Sequence, residues 1–210
     1  MNGGHDAGWI EMVLPLEQLD VQNLRLESPR RLRSNETDIR YERTILPLSY
    51  EAPSFKMPCF AVLTPFMKVH AWDSTSGRLE FELEHESVAY THIKRFENHI
   101  IALLLDHASW LEYRGGELQD HIERSMQYSI VGNIFTIYLH GQNLSNKPMG
   151  RVWGWKQGAW IKGAAPTTFK KGQQLRVAIR FQGICFFPNA PAKSKYRIQH
   201  QTIAVYYKDP

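Results

Sequence analysis

The residues best suited to chemistry are cations interleaved with aromatics in the C-terminal part of the chain. Arg151, Trp153, Trp155, Lys156, Trp160 and Lys162 fall within twelve residues, and Phe169, Lys170 and Lys171 follow. Arg176, Arg180, Lys195 and Arg197 come next, in or beside two apolar-patterned runs. An exposed ring stacks on an unpaired base of any sequence, contributing about 1–3 kcal/mol per base, while guanidinium and ammonium groups follow the phosphates. These types in this pattern point to single-stranded nucleic acid. Core packing is the competing role for the tryptophans, since Trp is usually well buried. The sequence leaves the exposure of Trp153, Trp155 and Trp160 open.

Charge supports a polyanion partner. Residues 127–210 hold 12 Lys and Arg and a single acid, Asp209, a balance of +11. Residues 1–126 hold 13 Lys and Arg against 20 Asp and Glu, a balance of −7. Solvated surfaces normally mix both signs, so a long acid-free stretch argues for an anionic partner. Arg30, Arg31 and Arg33 form the one basic cluster of the acidic half and read as a solvated loop.

Catalytic signals are weak, and the expectation is a protein that is not an enzyme. There is no GxSxG, no P-loop, no dinucleotide glycine pattern and no CxxC. Glu80, Glu82 and Glu84 alternate with Leu79, Phe81 and Leu83, so they read as the wet face of a strand rather than a metal cluster. His92, His99 and His107 lack the HExxH spacing and read as structural or surface residues. No catalytic residue, metal or cofactor is expected. A metal-dependent nuclease stays open as the weaker alternative.

Length and composition bound the rest. The chain has 210 residues, 43% hydrophobic and 22% charged, as expected of a soluble globular protein with a real core. No apolar run approaches the ~20 residues of a membrane span, so no membrane partner is expected. The N-terminus lacks a basic region followed by an apolar core, and Cys59 and Cys185 each lie in an apolar run. An intracellular protein with reduced cysteines is expected.

The elements that must position these residues are mostly strands. Gln174–Tyr207 reads as two long strands joined by a basic, Pro-rich loop. Leu175, Val177, Ile179 and Phe181 share one face, with Arg176, Arg180 and Gln182 on the other. Gly183 breaks that phase and marks a bulge or a barrel corner. Earlier strands are expected over Val21–Glu27, Ile39–Tyr50, Phe60–Val69 (broken by Pro65) and Arg78–His85, with a polar loop over Ser28–Asp38. Ile93, Phe96, Ile100, Leu104 and Leu111 recur at helical steps and predict a helix over Ser87–Leu111, capped by Ser87 and stopped at Gly115–Gly116. A shorter helix over Glu117–Met126 follows. Then come a strand over Ile130–His140, a loop over GQNLSNKP and a hairpin over Met149–Ile161.

This order predicts a mainly β (α+β) fold, an elaborated OB-fold barrel with a helix pair inserted between the early and late strands. A general α+β domain fits almost as well. Residues 1–18 are expected to form a flexible arm and residues 19–210 a single OB-like nucleic-acid-binding domain.

Several blocks resemble a known family. PCFAVLTPFMKV, RLEFELEH, SWLEYRGGELQDHIERSMQYSI and LRVAIRFQGICFF…KYRIQHQTIAVYY are similar to the single-stranded DNA-binding proteins of large DNA viruses, which are related to phage replication proteins of the same activity. Thr64–Pro65, Ser109–Trp110, and Phe181, Gln182, Gly183 and Phe186 match that family's loose strand and turn patterns. Ile184–Cys185–Phe186 departs from its usual Trp, and the ending YYKDP lacks the acidic tail of the phage relatives. The resemblance implies an OB-fold protein that coats and protects single-stranded DNA in viral replication, recombination or repair. It implies polymerase or helicase as replication partners, and a viral replication compartment or the host nucleus as location. DNA against RNA, and a homo-oligomer, stay open. The alternative function is a viral structural or packaging protein with a basic genome-facing surface.

Overall fold

The computed structural model describes residues 13–32, 43–58, 60–111, 115–139, 151–156, 159–163, 169–187 and 195–208. Among the described residues, fifteen strands and two α-helices follow one another. They are β1 (Val13–Pro15), β2 (Leu24–Leu26), β3 (Arg30–Leu32), β4 (Arg43–Ala52), β5 (Phe55–Met57), β6 (Phe60–Leu63), β7 (Met67–Asp73) and β8 (Arg78–Glu82). Helices α1 (Val88–Asp106) and α2 (Leu118–Ser125) come next. Then come β9 (Met126–Gln127), β10 (Ile130–Val131), β11 (Ile134–Tyr138), β12 (Arg151–Lys156), β13 (Ala159–Gly163), β14 (Gln174–Phe186) and β15 (Tyr196–Lys208).

β14 and β15 are the spine. They pair antiparallel over nearly their whole length, from Leu175 opposite Tyr207 to Phe186 opposite Tyr196. On β14, Leu175, Val177, Ile179 and Phe181 are buried while Arg176 and Arg180 are half-buried. The alternation in the sequence is thus the pleat of a sheet with one face on the core. β14's other edge is served by three strands in turn: β7 at Gln174–Leu175, β6 at Ala178–Phe181 and β4 at Gly183–Phe186.

Two residues manage those changes of partner. Between β7 and β6, Thr64 stands in for a strand. Its N–H donates to the Val177 carbonyl at 2.9 Å, and its Oγ1 accepts from the Val177 N–H at 3.0 Å. Both groups are buried, where an unmade hydrogen bond would be costly. Between β6 and β4, the register shifts at Phe181/Gly183. Gly183 has φ +153°, and a Cβ there would lie 2.3 Å from the Leu46 carbonyl oxygen. Only glycine permits both that backbone and that approach. Gly183 is therefore a bulge.

α1 starts where Ser87 accepts a hydrogen bond from the Tyr90 N–H at 3.2 Å. The α-helix ends at His107 and runs on as a 3-10 turn over Ala108–Leu111, short of the expected glycine pair. Its apolar stripe of Ile93, Phe96, Ile100 and Leu104 is buried. Phe96 meets Phe181 of β14 with ring centroids 4.4 Å apart, and Phe60 of β6 lies 5.7 Å from Phe181. Tyr50 and Phe60 continue this aromatic cluster at 5.8 Å.

Some local expectations change. Val21–Asn23 is a 3-10 turn capped by the Asp20 carboxylate, so β2 spans only Leu24–Leu26. Arg30–Leu32, expected in a loop, pairs with β4. In the stretch expected as an arm, Val13–Pro15 pairs parallel with β6 and Leu16 is buried. Cys185 is buried and reduced, while Cys59 lies outside the described residues.

The largest correction concerns architecture. The expected OB-fold barrel is not formed. The sheet path runs β10-β11-β8-β7-β14-β15-β12-β13 and stays open. β11 and β15 approach, and the Thr202 hydroxyl donates to the Tyr138 carbonyl at 3.3 Å, but no ladder joins them among the described residues. Residues 126–131 lie at that seam, with β9 parallel on β15 and β10 antiparallel on β11. Tyr128 and Ser129 between them belong to neither strand, which breaks the continuity a closed barrel requires. The fold is a mixed α+β arrangement, an open sheet packed on α1.

Candidate functional site

The residues expected to bind nucleic acid fall into four groups. Arg151, Trp153, Trp155 and Lys156 are on β12, and Trp160 and Lys162 are on β13. The register sets Trp153 opposite Tyr206 and Lys162, and Trp155 opposite Lys208 and Trp160. The exposure of those tryptophans lies outside the described residues. Lys170 and Lys171 are exposed on the turn that leads into β14, whereas Phe169 is buried and meets Trp72 edge-on at 5.2 Å. Lys195 precedes β15.

The third and fourth groups are on the long strands, and their side chains are engaged. Arg176 Nε donates to the Thr64 carbonyl at 2.8 Å. Arg180 reaches Gln201 Oε1 at 3.4 Å. Arg197 lies over the Tyr138 ring, 5.6 Å from its centroid, a cation–π arrangement.

Arg197 also borders a groove of about 550 Å³ at the open seam. β8 and β11 supply Arg78, Thr136 and Tyr138; α2 supplies Glu123 and Arg124; Met126–Ser129 and Val131 form a wall; β15 supplies Arg197, Ile198 and His200. Register explains the β8–β11 side, because Tyr138 lies directly opposite Arg78 and Thr136 opposite Glu80. Their alternates, Ile137 and Leu79, point into the core. Arg78 pairs with Glu80, and Arg124 pairs with Asp120 one helical turn back at 2.8 Å. The Arg124–Asp120 pair is exposed on both sides and is held weakly, whereas Glu80 in the Arg78 pair is largely buried.

Behind the wall stands a carboxylate that the sequence did not single out. Glu97 on α1 is fully buried. Its Oε1 accepts from the Ser129 N–H at 2.6 Å, the Ser129 hydroxyl at 2.7 Å and the Ile130 N–H at 3.2 Å. Its Oε2 accepts from Lys94 Nζ at 3.2 Å. Lys94 also donates to the Ile130 carbonyl at 3.1 Å and lies 5.2 Å over the Tyr128 ring. A buried charge is tolerated only when paired and hydrogen-bonded, and Glu97 is both. Burial, reinforced by the Glu123 and Glu97 carboxylates, pushes the Tyr128 phenol above its ordinary value of 10.0. Tyr128 therefore faces the groove as a neutral hydroxyl at physiological pH.

The polarity of Glu97 is hidden by its position. It sits beside Phe96 within the apolar stripe of α1, where helical spacing alone gives an inward-facing Glu no partner. A carboxylate three residues after a lysine, on a helix's buried side, was the available signal.

No protein-family model matches the chain, and no curated protein matches it in sequence. With the sheet open and no family matched, the resemblance to viral single-stranded DNA-binding proteins is not upheld. The expected coating of single-stranded DNA in replication, recombination or repair loses its basis with the barrel, and with no viral family matched nothing supports the packaging alternative, which rested on a basic genome-facing surface. The nuclease alternative finds no support either. Among the described residues no group of three or more His, Cys, Asp or Glu could hold a metal ion. Also among them, no helix is long and apolar enough to cross a membrane.

Proposed function

We propose that this chain is a non-catalytic binding domain whose seam groove holds a compact oxyanion, phosphate or carboxylate, carried on an aromatic ligand. One observation carries the reading. Arg78, Arg124 and Arg197 come from three different elements to one groove that Tyr128 and Tyr138 also line.

Guanidinium groups bind oxyanions through paired, charge-assisted hydrogen bonds. Arg197 lies over the Tyr138 ring at the border of the groove, where its guanidinium can reach a bound anion. Arg124 already holds a carboxylate in an exposed pair, and a bound oxyanion would take the place of Asp120 at little cost, while Arg78 keeps the largely buried Glu80 beside it. The tyrosine rings suit a flat apolar group beside the anion.

Calorimetric titration with phenyl phosphate and with inorganic phosphate at low salt tests this. Saturable binding of both is expected, weakened about tenfold by Arg197→Ala, a loss of about 1.4 kcal/mol. Absence of saturable binding, or an affinity indifferent to Arg197→Ala, would overturn the reading.

A further inference from the structure

We infer that Glu97 and Lys94 on α1 are positioning residues for the groove, holding Tyr128 as the platform for the aromatic part of the ligand. This rests on the reading of the groove as an oxyanion site.

The 126–131 segment has two tasks that conflict. Its ends must pair with β15 and β11, which belong to opposite sides of the seam. The Ser129 carbonyl still accepts from the Thr136 N–H of β11 at 2.9 Å, but the Ser129 and Ile130 amides turn away from both strands and need another acceptor. Glu97 takes both amides and the Ser129 hydroxyl on one oxygen. The other oxygen fixes Lys94, whose ammonium is held by the Ile130 carbonyl as well. Lys94 thus has two acceptors that set its position, and the Tyr128 ring lies against it. The chain of contacts runs from a fully buried carboxylate to a groove-lining ring, although Glu97 itself does not line the groove.

The geometry separates positioning from simple support. Arg78, Arg124 and Arg197 are placed by β8, α2 and β15 and do not contact Glu97 in the interactions described above. Removing the Glu97 charge should thus affect the aromatic platform and spare the cationic one. Glu97→Gln keeps the size and one acceptor oxygen for the Ser129 and Ile130 amides. It turns an N–H₂ toward Lys94, which must then move off the Tyr128 ring.

The test is a comparison of two probes on the full chain. For Glu97→Gln, phenyl phosphate affinity is expected to fall about tenfold and inorganic phosphate affinity less than about threefold, since stacked rings and charged hydrogen bonds contribute separately. Lys94→Met should give the same split, and Lys94→Arg should restore most of the phenyl phosphate binding. Unchanged binding of both probes, or equal loss of both in a folded variant, would overturn the inference. If the wild-type protein binds neither probe, the oxyanion reading falls. The inference is then decided on the unliganded protein, by the Tyr128 ring and Ser129 amide resonances. They should move in Glu97→Gln while those of β14 and β15 stay in place, and immobile Tyr128 and Ser129 resonances would overturn it.

Discussion

The β14–β15 pair and the 126–131 segment solve the same problem in opposite ways. Both must satisfy backbone amides in a buried setting. β14 and β15 do so with each other's backbone along thirteen-residue strands. The short segment does so with one side chain, the Glu97 carboxylate of a helix about thirty residues earlier. Backbone pairing is repetitive and tolerates side-chain change on its wet face. A single carboxylate is specific, and everything that depends on it is exposed to one substitution. The first arrangement supplies the frame of the molecule, and the second shapes the wall of its groove.

The sharpest way to break this contrast is to injure the frame, first in its core and then in its backbone pairing. Phe181→Ala removes the ring at which Phe96 and Phe60 meet and should cost about 3–5 kcal/mol, seen as a lower urea midpoint for the whole molecule. A loss below about 1 kcal/mol would mean that the frame does not depend on this cluster. A smaller effect is expected where a side chain substitutes for backbone within the frame itself. Thr64→Val keeps the shape but deprives the buried Val177 N–H of its acceptor, at about 1–3 kcal/mol. Full stability in that variant would show that the Thr64 hydroxyl does not bridge the gap between β7 and β6.

The smallest effect is a pH dependence. Burial, then the Arg25 and Arg95 charges, holds His99 of α1 below its ordinary 6.5. Burial and Lys195 do the same for His121 of α2. The folded protein therefore takes up protons less readily than the unfolded chain. The stability these histidines contribute is present above pH 6.5 and is lost as pH falls through their lowered values. Melting temperature should decline on acidification below pH 6.5, and His99→Gln should flatten part of that slope. A flat profile in the wild type would contradict the surroundings described for both imidazoles.

The parts legible in advance share a physical trait, which is local periodicity. Leu175, Val177, Ile179 and Phe181 announce β14, and Leu79, Phe81 and Leu83 announce β8, because pleating makes alternate residues share a face. The stripe of Ile93, Phe96, Ile100 and Leu104 announces α1 for the same kind of reason. Boundaries were less legible. Arg30–Leu32 carries no apolar alternation and is a strand only because β4 offers an edge. The groove was the least legible. Arg197 stands in it as one of the expected cations, but Arg78 and Arg124 come from the acidic half, and Tyr128 and Tyr138 were not among the expected site residues.

The sequence by itself determined the faces of β14, β8 and α1, the glycine at the bulge and the cationic character of the last strands. Those follow from side-chain polarity at fixed local spacing and from the backbone freedom of Gly183. Whether the sheet closes was decided only by the tertiary structure. Closure depends on where β11 and β15 end up and on what lies at the seam between them. There the Ser129 and Ile130 amides turn to Glu97, an acceptor brought close by the packing of α1. No local pattern encodes that meeting, because its partners are about thirty residues apart and belong to different elements.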